Sequence, residues 1–200
     1  MLTHRHRQLF ALAGMSLALA PRATAMAQET HMHTTAPTIQ IPGSVQAEHQ
    51  EIHNSLIEAT RVAGGVGVAA KALAAVLHPH FVREEQIALP PLALLAPLSR
   101  GDLPEGSASL LAMSDTLRAE LPAMLEDHKR IRAAVVELRK VASAAGDEKT
   151  VRLADQLAHH ALTEEEVMYP AAILVGDLIR ARQSGGCCHK RTLNHHGAKE

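Results

Sequence analysis

The chain has 200 residues, 46% hydrophobic and 20% charged, with a formal net charge of −1, which places it among soluble globular proteins with one domain as the first expectation. Phe10, Phe81 and Tyr169 are its aromatic residues besides histidine, so Leu, Ala and Val must build the core, and that composition suits helices. The shortage of aromatics and of basic charge removes the stacking platform and phosphate-neutralising surface that nucleic-acid binding needs, so no nucleic acid is expected as a partner.

Residues 1–27 read as a secretory signal peptide. Arg5 and Arg7 precede a 12-residue apolar run from Leu9 to Ala20, too short to span a bilayer, and Ala25-Met26-Ala27 is a small-x-small cleavage site. His6-Arg7-Gln8-Leu9-Phe10 lacks the arginine pair of a twin-arginine signal, which favours the general secretion route. Cleavage after Ala27 predicts an exported, periplasmic protein with no membrane attachment. The mature part keeps 17 basic residues, the 20 of the whole chain less Arg5, Arg7 and Arg22, against 21 acidic ones, a net charge of −4. Residues 28–43 have the composition of a flexible leader, carrying His31 and His33 among Thr, Pro and Met.

Four helices are predicted over residues 44–182. The first starts after Pro42-Gly43 with Ser44 as N-cap and ends before Gly64-Gly65. A second runs from about Val68 to Leu89, with Ala72, Val76 and Leu77 at helical spacing, a bend at Pro79 and a stop at Pro90-Pro91. After a Pro- and Gly-rich linker over 97–106 comes a third, Ser107 to Ala144, which Pro122 should kink or divide. The fourth begins after Gly146 with Asp147 as cap, and a short helix from Ala171 to Arg182 follows Pro170. No strand pattern competes, and short links favour antiparallel neighbours, so the expected fold class is all-α, an up-down-up-down four-helix bundle. Residues 183–200 read as a disordered tail. Its Cys187-Cys188-His189 and His195-His196 offer donors for a metal or an intermolecular disulfide, without the spacing of a tetrahedral site.

The chain is internally duplicated. His80 to Pro90 and His160 to Pro170 share the pattern H-x-x-x-E-E-x-[IV]-x-[LY]-P, and Glu48-His49-Gln50-Glu51-Ile52 answers to Asp127-His128-Lys129-Arg130-Ile131. Residues four apart on a helix share a face, so His80 with Glu84 and His160 with Glu164 each form a two-ligand clamp. His49 and His128 project from the other two helices. Four imidazoles and two carboxylates suit two transition-metal ions, with the carboxylates able to bridge them. A single helical His is more often a satisfied or exposed residue than a ligand. Duplicated clamps with matching single histidines on four helices are another matter, because burying those carboxylates without a cation would be costly. His78 and His159 have Val82 and Thr163 four residues on, and belong to the polar face or behind the ligands. Glu85 and Glu165 follow their clamps by one residue; the five-residue spacing also reaches a bridging position, which keeps Glu165 in reserve.

At these residues, over about Val45 to Val175, the chain resembles the hemerythrin-like (HHE cation-binding) family. The resemblance implies a four-helix bundle around two iron ions, a non-haem di-iron centre, that binds O2, or in related proteins senses or detoxifies oxygen, nitric oxide (NO) or peroxide. It implies that His49 and His80 hold one iron, that His128 and His160 hold the other, and that Glu84 and Glu164 bridge. Zinc or manganese suits the same donors. Oxygen-carrying members place two histidines four apart on the third helix, whereas Met124 stands four before His128 here. That departure is expected to leave a coordination position open and to favour sensing, scavenging or slow peroxide chemistry over oxygen transport. His53, four after His49, is a candidate compensating ligand or proton donor, or else an ordinary helix-face residue. A metal-buffering protein without redox chemistry is the alternative. A dedicated peroxide- or NO-consuming enzyme is weakened by the lack of a cofactor fingerprint or electron-entry domain in the sequence, and no redox partner is identified.

Overall fold

A computed structural model describes residues 40–189, with side chains through 185; the expected signal peptide, most of the leader and residues 190–200 lie outside the described residues. Among the described residues there are helices and turns and no strand. The long elements are α1 (Gly43–Thr60), α2 (Gly65–Ile87), α4 (Ser107–Ala145), α5 (Glu148–Thr163) and α6 (Tyr169–His189). A 3-10 turn (Pro90–Leu94) and a short α3 (Leu95–Ser99) follow α2, and a π-helical turn (Glu164–Met168) joins α5 to α6. Helix α2 packs on α1 and α4, α4 on α5 and α6, and α1 also on α5.

Each helix buries one stripe at three- and four-residue spacing. In α1 it is His49, Ile52, Leu56 and Ala59; in α2, Ala70, Leu73, Leu77, His80 and Glu84. In α4 it includes Met124, His128, Ile131, Val135 and Leu138, and in α5 Leu153, Leu157 and His160, continued by Glu164. The histidines and glutamates therefore lie in register with the apolar core rather than on a polar face. Two apolar clusters flank them. Ile52, Leu77, Ile131 and Leu157 belong to one; Val45, Ile87, Met124 and Met168 belong to the other. On all four helices the donor residues fall between a member of one cluster and a member of the other, so a polar layer crosses the interior between two greasy ones.

Several local expectations change. Ser44 lies inside the first turn of α1 rather than capping it; the Pro42 carbonyl accepts from the Gln46 N–H at 3.0 Å and starts the helix. Helix α2 begins at Gly65, and Ala72 is exposed, because the buried stripe runs through Leu73 and Leu77. Part of the expected linker, up to Ser99, is helical. Pro122 divides nothing: α4 is continuous, and Pro122 and Arg118, whose carbonyl loses its helical donor, are both exposed residues. Pro79 and Ala75 stand in the same relation in α2. Asp147 caps α5 as expected, its carboxylate accepting from the Thr150 N–H at 3.1 Å. The last helix is longer than expected at both ends, from Tyr169 to His189, so residues 183–189 of the expected disordered tail have helical backbone. Its start is packed from the first residue, with Tyr169, Ala172, Val175 and Ile179 buried at helical spacing.

Candidate metal centre

Four helices deliver six buried donor side chains to the polar layer. His80, Glu84, His128 and Glu164 bring one ligand atom each within 4.8 Å of one another, and His49, His160 and Glu164 do the same beside them. Glu164 belongs to both groups. Its Oε2 lies 3.3 Å from Nε2 of His128, while its Oε1 lies 2.9 Å from Nε2 of His160 and 3.5 Å from Nε2 of His49. Glu84 spans the same gap from the other side, with Oε1 3.2 Å from Nε2 of His80 and Oε2 3.9 Å from Nε2 of His49. Each carboxylate thus offers one oxygen to each group, the arrangement a bridging carboxylate requires.

The other ring nitrogens face outward, and each meets an acid from a neighbouring helix. Nδ1 of His128 lies 2.8 Å from Glu165, Nδ1 of His160 3.3 Å from Glu48, Nδ1 of His80 3.7 Å from Asp127, and Nδ1 of His49 4.0 Å from Glu85. Glu165 also accepts a hydrogen bond from Arg132. These four acids are the residues that precede His49 and His128 and follow Glu84 and Glu164. Carboxylates behind imidazoles orient the ring and raise the basicity of the inward nitrogen, a recurrent feature around metal-ligating histidines. Phe81 stacks on His49 with ring centroids 4.2 Å apart, fixing that ring further.

The interior is poorly satisfied by protein alone. Both ring nitrogens of His49 and His160, Nδ1 of His80, Oε2 of Glu84 and Oε1 of Glu164 are buried without a hydrogen-bond partner among the described residues. Such orphaned groups cost about 1–3 kcal/mol each, and more when charged. Burial and the charge of Glu164 push the Glu84 carboxyl above the usual range. Burial acts on Glu164 in the same sense but is outweighed by the imidazoles of His128, His160 and His49, which hold it well below that range. Burial lowers His128 and His160, and Glu164 beside them more than reverses it, so both are raised. Convergent, unpaired imidazole and carboxylate donors of this kind fit divalent or trivalent transition metals.

A family model described as the hemerythrin HHE cation-binding domain matches residues 43–172. The chain belongs to that family. No curated protein and no solved structure matches the chain. The HHE domain covers every donor of the polar layer, and its His/Glu clusters could hold metal ions.

The pairing of donors differs from the expectation. His80 stands with His128, their ring centroids 4.6 Å apart, and His49 with His160 at 4.9 Å, instead of His49 with His80 and His128 with His160. Helix contact does not select the pairing, since α1 touches both α2 and α5 and α4 touches both as well; the placement of the rings in the polar layer sets it. Glu165, held in reserve as a bridge, faces the outer side of His128. His53 lies outside both groups, half-buried with its ring 6.1 Å from that of exposed His78, and His159 is exposed. Together with His49, Phe81 and Glu85, His53 and His78 line a surface cavity of about 320 Å³.

Met124 does not take a place among the donors. It is packed with Leu92, Leu117 and Tyr169 in the second apolar cluster. The residue the sequence reading missed is Tyr169. Its hydroxyl donates to Oε1 of Glu84 and lies 3.3 Å from Nε2 of His80 and 3.2 Å from Nε2 of His128. Burial, with Glu84 and Glu164 nearby, pushes this phenol far above its ordinary range. The π-helical turn positions it: Tyr169 N–H reaches back five residues to the Glu164 carbonyl, and Pro170 has no N–H to give to Glu166, which favours the wider turn. In the first half Leu89 N–H reaches the Glu84 carbonyl in the same way, at 2.9 Å, ahead of Pro90. The signal was present in the duplicated motif, at its one [LY] position.

Proposed function

We propose that this chain is an exported, non-haem di-iron protein that binds or reacts with small diatomic ligands, O2 or NO, or with peroxide. The observation that carries the reading is the sharing of Glu164 between two donor groups, with Glu84 spanning the same gap. One ion would be held by His80, His128, Glu84 and Glu164, the other by His49, His160, Glu164 and Glu84. Six protein donors around one ion would be crowded; two ions account for both groups. Iron there would supply redox change and exchangeable coordination at neutral pH.

The chain's own residues do the rest. Apolar clusters above and below the polar layer exclude bulk water and keep the donors preorganised. Glu165 holds the ring of His128 and keeps its inward nitrogen basic, while Glu48, Asp127 and Glu85 face the other three imidazoles at 3.3–4.0 Å. A cavity lined by Phe81 and His53 lies beside His49, on the His49/His160 side of the centre. An alternating up-down-up-down order of α1, α2, α4 and α5 belongs to this reading. Its support is that successive helices run between the two apolar clusters in opposite order, with only residues 61–64 and 146–147 joining α1 to α2 and α4 to α5.

Elemental analysis and optical spectra test the reading together. Mature protein loaded with iron should bind close to two ions per chain and change its visible absorption when oxygen is admitted to the reduced form. Stoichiometric zinc in the native protein, with no spectral response from an iron-loaded sample, would instead assign it to metal buffering. Native protein isolated from its source should begin at Gln28; an intact Met1 would remove export.

A further inference from the structure

The two donor groups are not equivalent. The His80/His128 side contains a third kind of donor, the Tyr169 hydroxyl, within 3.3 Å of both inward ring nitrogens and hydrogen-bonded to Glu84. A hydroxyl that touches two imidazoles and a carboxylate, all of which converge on one point, sits where an ion's coordination sphere would lie. The corresponding position of the first half is Leu89, which has no donor atom. Met124, one turn before His128, is likewise without a hard donor, and thioether sulfur is a poor ligand for iron.

We propose that Tyr169 is a protein ligand of the ion held by His80 and His128, so that this ion has five protein donors while the His49/His160 ion, with four, is the more open to exchange. The inference rests on the metal-binding reading above. On binding, the phenol O–H bond breaks, an oxygen–metal bond forms, and the proton leaves to solvent; no electron is transferred. The open cavity lies on the other side, with His49 as the one donor in its lining. The position expected to be vacant because of Met124 is therefore filled from another helix.

The composition makes the test clean, since the chain has one tyrosine and no tryptophan. Zinc titrated into the metal-free full chain should produce the ultraviolet difference bands of a tyrosinate, saturating at one per chain. The ferric protein should show a visible tyrosinate-to-iron charge-transfer band whose resonance Raman spectrum contains tyrosine ring modes, and growth on ring-deuterated tyrosine should shift them. Tyr169→Phe should abolish both signatures. The isotope experiment needs no substitution, so it decides the matter even where the variant folds poorly. Metal bound at the full stoichiometry with an unshifted phenol spectrum would overturn this inference alone and leave Tyr169 as a hydrogen-bond donor to Glu84. Failure to bind metal at all would overturn the proposed function and this inference with it.

Discussion

Oε1 of Glu165 lies 2.8 Å from Nδ1 of His128, and the same carboxylate is held from behind by Arg132, one turn further along α4. Burial would raise this acid, but Arg132 and His128 lower it, so it remains a carboxylate facing the ring. Followed around the bundle, the relationship closes on itself. The acid of α1 faces the histidine of α5, the second glutamate of the α5 motif faces the histidine of α4, the acid of α4 faces that of α2, and the second glutamate of α2 faces that of α1. The duplicated acid-His and Glu-Glu pairs of the sequence thus have two tasks each. One member points inward, and its neighbour in the chain faces an imidazole on another helix.

Glu165→Gln should therefore weaken metal binding without removing a ligand. Loss of an acid behind a metal-bound imidazole costs on the order of 10–100-fold in affinity. The variant should still bind the same number of ions at saturation. Competition with a chromophoric chelator reads the affinity, and an unchanged dissociation constant would show that Arg132 and water hold His128 adequately.

Register gives a second expectation. His80→Ala and His160→Ala should each lose bound metal, whereas His78→Ala and His159→Ala, whose side chains are exposed, should retain it. Equal losses at all four positions would contradict the buried stripe. Because His80 stands with His128 and His49 with His160, each loss should fall mainly on one ion of the pair.

The HHE resemblance, the helical class and the six inward donors were legible in the sequence, because the three- and four-residue spacing and the 80-residue duplication need no tertiary information. The pairing of donors was not: each helix touches two of the others, and the spacing of His80 and Glu84 is the same whichever neighbouring imidazole they meet. Tyr169 was hidden for a related reason. Nine residues after His160, an ordinary helix would set it 900° around the axis, half a turn away from that histidine. The π-helical turn adds the residue that changes its direction. As a divider of its helix Pro122 misled, since α4 runs through it unbroken.

Gly67 tests the packing independently of the metal. A Cβ there would collide with the backbone carbonyl of Val62 and lie 3.3 Å from that of Thr60, with no flexible side chain to yield. Gly67→Ala should destabilise the fold by about 1–3 kcal/mol, the usual cost of overpacking. Denaturant unfolding should show a lower midpoint, while metal stoichiometry below the transition stays at the wild-type value. A variant as stable as the parent would mean that the α1–α2 connection relaxes freely.

The sign of the protein's pH dependence turns on whether metal is bound. In the metal-free protein Glu84, His128 and His160 have raised values, so the stability they contribute is present at low pH and is lost as pH rises, from 4.5 for Glu84 and from 6.5 for the histidines. Glu164 is depressed, and its contribution is complete above 4.5 and lost as pH falls below it. Between about pH 5 and pH 8 the raised groups decide the trend, and the metal-free Tm should fall as pH rises. Metal reverses the order. Ligands bind deprotonated, so protons compete at low pH and the loaded form gains stability as they leave. Free metal at a hundredfold excess over Kd adds about 2.7 kcal/mol, or roughly 5–10 °C for a chain of this length. Differential scanning calorimetry of chelated and loaded samples across this range should give opposed slopes that diverge towards high pH. Parallel slopes would show that the buried imidazoles and carboxylates do not govern stability, and identical Tm values at pH 8 would remove metal binding as a source of it.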